Sequence, residues 1–293
     1  MWQYYLVKII SKIMCHLPEC LLRLSAAFLG SVFWLVTPPW RKKLATDQVA
    51  TCLQVSEEEA RLIARKSVEK YGEMIVEVLC FPTLNRDNIK NKVSLVDEEK
   101  LGNLFDQGKG LIIATAHFGN WEMYGAAFAL YGYPLVAVAQ KQHNDAMDKF
   151  INEYRAMTGE HVVYRSGVLE MARMLGDGFA IGLLADQDGG KDGVIVDFFG
   201  RPTSCPKGPV ALARLKGAPI VLSLIYKKEN SKYEIFVSDP IKVEKSKDRE
   251  ADIEKATKVL MKMLEDEIRK NPEMWFWLHN RWKIDKNIYK NMV

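Results

Sequence analysis

The segment His117-Phe118-Gly119-Asn120-Trp121-Glu122 sets an imidazole five residues ahead of a carboxylate. An imidazole held by a carboxylate at one nitrogen keeps a fixed tautomer and leaves its other nitrogen free as a base near neutral pH. Two positions five apart in one continuous helix diverge by roughly 140°, too far for their side chains to meet. The pair therefore requires that His117 precede the helix and that the chain bend between the two residues. Gly119 permits such a bend, and Asn120 suits the N-cap of a helix starting there. On this reading Glu122 orients His117. A strand-end histidine that only hydrogen-bonds a neighbour would give the same short pattern.

The elements that must position these residues follow from the apolar pattern. Residues 111–116, 135–140, 179–185 and 219–226 are short apolar runs without alternation, the signature of strands buried on both faces. Residues 161–164, 194–198 and 233–237 are shorter strand candidates. Helical stretches fall between them at 120–131, 144–158, 168–175 and 208–216. A capping-box pattern, Ser56 with Glu59, opens a helix running to about Leu79, and 248–269 reads as a long amphipathic helix. Strands alternating with helices predict an α/β fold, a mixed, mainly parallel sheet flanked by helices. His117 then stands at the carboxyl end of a strand, where open α/β sheets bind ligands.

The 293 residues are 48% hydrophobic and 27% charged, a globular composition, and a net charge of +4 is too mild for a nucleic-acid partner. Five cysteines stand scattered without CxxC or metal-ligand spacing, which fits reduced thiols in a cytoplasmic compartment. No His/Asp cluster is spaced to hold a metal for hydrolysis. At the N-terminus, Leu6, Ile9, Ile10, Ile13, Met14, Leu17 and Leu21 recur at helical spacing between Lys8, Lys12 and the aromatic residues Trp2, Tyr4 and Tyr5. An uncharged run, 24–36, follows and ends near Trp40 and Arg41-Lys42-Lys43. Basic flanks and interfacial aromatics suit a segment lying on, or dipping into, an anionic membrane leaflet; packing on the soluble domain is the plainer alternative. The expected organisation is a membrane-associating helical segment at 1–40 and one catalytic domain at 41–293.

The string His117–Glu122 resembles the H-x4-D/E signature of glycerolipid-type acyltransferases, and more closely the HxGNWE form of the bacterial lipid A biosynthesis acyltransferases. Asp186-Gln187 is similar to that family's "DQ" segment. Phe198-Phe199-Gly200-Arg201-Pro202 with Gly208-Pro209 resembles its "FFGRP…GP" stretch, and Pro272-Glu273-Met274-Trp275 through Trp282-Lys283 resembles its tail. The likeness runs from the N-terminal helix to about Lys283.

The resemblance implies a glycerolipid-acyltransferase-like fold and a place in lipid A and lipopolysaccharide biosynthesis. It implies an enzyme of the cytoplasmic (inner) membrane, its catalytic domain on the cytoplasmic face. A fatty acyl chain would pass from an acyl carrier protein or coenzyme A thioester, a co-substrate rather than a resident cofactor, to a hydroxyl of a lipid A precursor glycolipid. His117 would be the general base and Glu122 its orienting acid. Arg155, Asp186, Arg201 and Asn120 are the substrate-binding candidates: Arg155 and Asp186 by match to family residues, Arg201 as a phosphate contact, Asn120 at the helix start whose N–H groups could meet an oxyanion. Arg155 also fits a surface helix arginine, Arg201 a turn residue, and Asp188 competes with Asp186. His279 and Arg281 suggest a buried hydrogen-bonded pair. Two rival functions remain, acyl transfer to another membrane lipid such as a phosphatidylinositol mannoside, and a non-catalytic lipid-binding protein.

Overall fold

The computed structural model describes residues 1–229 and 232–283. Four helices come first: α1 (Trp2–Met14), α2 (Glu19–Val36), α3 (Pro39–Leu53) and α4 (Glu57–Leu79). The short helix α5 (Ile89–Lys92), the strand β1 (Val93–Leu95) and α6 (Glu98–Phe105) lead into the alternating part. There β2 (Leu111–Thr115), α7 (Trp121–Leu130), β3 (Leu135–Ala139), α8 (Asp145–Thr158), β4 (His161–Tyr164), α9 (Val168–Gly176) and β5 (Ala180–Leu184) follow in turn. The hairpin β6 (Val194–Phe198) and β7 (Arg201–Cys205), α10 (Gly208–Lys216), β8 (Ile220–Lys227), β9 (Tyr233–Val237) and α11 (Arg249–Lys270) complete the chain before its tail.

Among the described residues one sheet has seven strands in the order β1-β9-β8-β2-β5-β3-β4, and β6-β7 form a separate antiparallel pair. Every pairing in the large sheet is parallel except β8 with β9. The expected mixed, mainly parallel α/β sheet is what forms. β2 lies at its centre and alternates between two apolar layers. Leu111 and Ile113 face the layer containing α7, α8 and the second half of α4; Ile112 and Ala114 face that of α3, α9, α10 and α11. Burial on both faces explains the unbroken apolar runs. Ser56 caps α4 by accepting from the Glu59 N–H at 3.2 Å, as its pattern predicts.

The sequence reading placed a boundary after residue 40, which falls in the first turn of α3; the break between helices is at Thr37-Pro38. Helix α2 runs closely along α4, because Gly30 and Gly72 face each other across the crossing. A Cβ at either would press into backbone, Glu69 in one case and Ala26 and Gly30 in the other. The outer side of α2 is bare: Leu24 and Phe28 are each 66% exposed. Helix α1 docks by its polar side. Lys8 Nζ donates to Glu153 at 2.7 Å and Tyr154 Oη to Ser11 Oγ at 2.6 Å, which leaves Trp2, Leu6, Ile9 and Ile13 facing outward.

Candidate active site

Register brings the site together. Thr115 on β2 pairs with Leu184 on β5, so the residues two positions beyond each, His117 and Asp186, leave neighbouring parallel strands side by side at the carboxyl edge. The Ala185 N–H donates to the Thr115 carbonyl at 2.8 Å and extends the ladder by one step. Asp186, fully inside the protein, then accepts three donors: the His117 backbone N–H at 2.9 Å, His117 Nδ1 at 2.9 Å and Trp275 Nε1 at 2.8 Å. The tail pins the backbone from the other side. Phe276 N–H donates to the His117 carbonyl at 3.0 Å, and Gly119 N–H to the Met274 carbonyl at 2.8 Å. Gly119 makes the turn with φ +58°, at a place where a Cβ would meet the Ile225 carbonyl.

The electrostatics follow from this pairing. Burial disfavours the imidazolium, but the Asp186 charge and its hydrogen bond outweigh it and hold His117 above its ordinary value. Burial likewise raises an isolated carboxyl, yet His117 and the donors around Asp186 hold it below the usual carboxylate range. With Nδ1 given to Asp186, Nε2 is the nitrogen left for chemistry, and the side chain keeps 17% of its surface open.

The pairing expected between His117 and Glu122 is not the one formed. The chain does bend at Gly119, but the bend turns His117 toward Asp186 and leaves Glu122, on the first turn of α7, facing α8. There Arg155 Nε and Nη2 grip Glu122 in a fork at 2.9 and 2.6 Å, and Trp121 Nε1 donates to the same carboxylate at 3.1 Å. Arg155, expected as a substrate-binding residue, is engaged here with a protein carboxylate. Behind the pair lies Glu160, whose carboxyl burial and the Glu122 charge push up to about 8.

Asn120, a substrate-binding candidate, is spent on structure: Oδ1 caps α7 by accepting from the Met123 N–H at 2.9 Å, and Nδ2 donates to Glu77 at 2.6 Å. Arg201 sits in the β6–β7 hairpin with its guanidinium 4.6 Å from the centre of the Trp282 ring and beside the Cys52 thiol. Neither contact is with the His117 group. Asp188, the rival of Asp186, gives its backbone N–H to His279 at 3.2 Å. His279 and Arg281 do not pair with each other. His279 is pushed down to about 4, chiefly by burial, whereas fully buried Arg281 donates to Thr203, the Ser204 carbonyl and Cys205.

Sequence reading assigned no role to Gln187, Trp121, Tyr71 or Phe276, which surround the free face of the imidazole. Gln187 and Trp121 adjoin the motif residues, so their position was readable. Tyr71 comes from α4 and Phe276 from the tail, and only the fold brings them in.

The family model for "Bacterial lipid A biosynthesis acyltransferase" matches residues 1–284. The chain belongs to this family. Within the lipid A acyltransferase family it is similar to the lipid A biosynthesis palmitoleoyltransferase of Escherichia coli (strain K12), at 23% identity over 87% of this chain and 84% of that one. It is 26% identical to a lipid A biosynthesis acyltransferase of Haemophilus influenzae, over 96% and 90% of the two chains. A phosphatidylinositol mannoside acyltransferase of Mycolicibacterium smegmatis is 29% identical over 54% of each chain. The match thus spans about half the length of that mannoside relative.

Proposed function

We propose that this family member transfers a fatty acyl group from a carrier thioester to a hydroxyl of a membrane glycolipid, with His117 Nε2 as the base. The observation that carries this reading is the Nδ1 bond from His117 to Asp186, which fixes the tautomer and leaves Nε2 open at the sheet edge. As the acceptor oxygen attacks the thioester carbon, its proton passes to Nε2. The imidazolium so formed sits against a buried carboxylate, and the C–S bond then breaks with return of that proton to the leaving thiolate. A positioned base of this kind supplies typically about 10²–10⁴-fold. The Trp121 and Glu122 backbone N–H groups, which open α7 without intrahelical partners, suit the oxyanion.

The donor is proposed to be an acyl carrier protein or coenzyme A thioester, and the acceptor a lipid A precursor. The relatives acting, by name, on lipid A cover most of the chain. Acylation of a phosphatidylinositol mannoside is the second reading, favoured by the higher identity over about half of the chain. A non-catalytic lipid carrier would have no use for the buried His117–Asp186 pair.

Membrane attachment, on the cytoplasmic face of the inner membrane, is proposed through α1 and α2. Helix α2 is long and apolar enough to cross a bilayer, with 11% of that stretch buried in the protein. It is nevertheless laid along α4, which begins with Glu57, Glu58 and Glu59 and carries Arg61 and Arg65. Carrying those charges into hydrocarbon is costly, so α2 lies in the interface with its bare side toward lipid. Incubating the full chain with a ladder of acyl thioesters and with both glycolipids, then weighing the products by mass spectrometry, tests the reading. An acylated glycolipid is expected; thioester consumption with no acylated lipid would overturn it.

A further inference from the structure

Aromatic rings and one amide lie around the imidazole of His117. Trp121 meets the imidazole at 5.0 Å between ring centres in an edge arrangement, and Phe276 lies at 6.4 Å. Tyr71 backs both, at 5.5 Å from Trp121 and 4.8 Å from Phe276. Gln187 Nε2 is 3.4 Å from His117 Nε2, too long for a good hydrogen bond. That carboxamide makes no other hydrogen bond among the described residues. Gln187 and Trp121 are both half-buried.

The indole is held in place from behind. Glu122 accepts from Trp121 Nε1, and the same carboxylate is clamped by both arms of the Arg155 fork. A forked guanidinium–carboxylate pair fixes orientation as well as distance, so Glu122 and Arg155 set the plane of Trp121.

We propose that Trp121 and Gln187 form the subsite for the sugar ring of the acceptor, with Glu122 and Arg155 as positioning residues that act through Trp121. This rests on the reading that the acceptor is a glycolipid. A pyranose has an apolar face of C–H bonds and a rim of adjacent hydroxyls. An indole offers a flat apolar surface to the first. An unspent carboxamide, both donor and acceptor, matches a hydroxyl beside the one that reaches Nε2. A fatty chain at this spot would leave the Gln187 amide unpaired, which is costly. A phosphate would need an unengaged cation, whereas Arg155 is bound by Glu122 and Lys283 stands 3.9 Å from Asp188.

Steady-state kinetics on the full chain in detergent micelles test the subsite, with acyl carrier thioester as donor and a lipid A precursor or phosphatidylinositol mannoside as acceptor. Gln187→Ala is expected to raise acceptor KM about tenfold, the range of one hydrogen bond, with the larger share of its loss in KM rather than kcat. Gln187→Asn should recover part of that. Trp121→Leu should raise acceptor KM more than Trp121→Phe, which keeps a ring, and Glu122→Gln should raise it with donor KM held. Circular dichroism establishes that each variant is folded. Parental acceptor KM in both Gln187→Ala and Trp121→Leu would overturn the subsite and reduce Trp121 to packing. Failure of the parent enzyme to acylate either lipid would instead overturn the glycolipid reading beneath it.

Discussion

Replacing Asp186 with asparagine keeps the size of the side chain and removes its charge. Asp186 accepts two hydrogen bonds from His117 and one from Trp275, so an amide there must turn an N–H toward at least one of those donors or leave it unpaired. The imidazole is then no longer held with Nδ1–H toward its partner, and an imidazolium formed during transfer loses the charge that balances it. Loss of most of the contribution of a positioned base is expected, about 10²–10⁴-fold in kcat, which corresponds to roughly 3–5 kcal/mol of barrier. The pH profile gives a second, independent sign. Nε2 must be unprotonated to act, so the parent rate falls as pH drops through the raised pKa of His117. With Asp186 neutralised, burial, the largest influence on the imidazole, is opposed only by the weaker Glu122 charge and lowers its pKa, so the acid limb moves to lower pH while the plateau falls. Initial rates of acyl transfer from pH 5 to 9 measure both. A plateau within threefold of the parent, or an acid limb that stays in place, would show that the Asp186 charge does not support His117.

Four further outcomes follow from the same geometry. Arg155→Leu leaves the Glu122 carboxylate buried and unpaired, and removal of one partner of such a pair costs about 3–5 kcal/mol; chemical denaturation should show this, with a smaller loss when Glu122→Gln is added. Glu160, held up to about 8 by burial, keeps a proton in the folded protein that the unfolded chain has already lost above its ordinary value. Stability therefore falls as pH rises between the two values, and Glu160→Gln should flatten that slope and exceed the parent in melting temperature near pH 8. Gly72→Ala forces a methyl group into the backbone of α2 and should destabilise by about 1–3 kcal/mol, read as a lowered denaturation midpoint. Phe28→Glu with Leu24→Glu should weaken co-sedimentation with anionic vesicles at least tenfold, since burial of each apolar side chain is worth about 1.5–3 kcal/mol; unchanged binding would remove α2 from the membrane contact.

The large sheet was readable because its central strands are buried on both faces and carry apolar runs, broken in β8 only by the buried Ser223. β1 and β7 were not. β1 has three residues at the sheet edge, and β7 is Arg201-Pro202-Thr203-Ser204-Cys205, a polar stretch that pairs only within the two-stranded hairpin. The sequence showed His117 at a strand end and Asn120 at a helix start, because both depend on neighbouring residues. The partner of His117 depends on register. Thr115 opposite Leu184 brings Asp186 beside it, and no local pattern shows which strand will lie next to β2. The same holds for Glu122, whose Arg155 arrives from α8. The basic side of α1, expected to meet an anionic leaflet, is the docking side, since Lys8 and Ser11 find partners on α8.

The proposed transfer depends on His117 Nε2 accepting the proton of the acceptor hydroxyl. Single-turnover transfer from an acyl carrier thioester to glycolipid by His117→Ala, with and without added imidazole, tests it most directly. A loss of at least about 10²-fold is expected in a folded protein, with partial recovery as free imidazole fills the vacated space. Transfer by His117→Ala at the parent rate would contradict it.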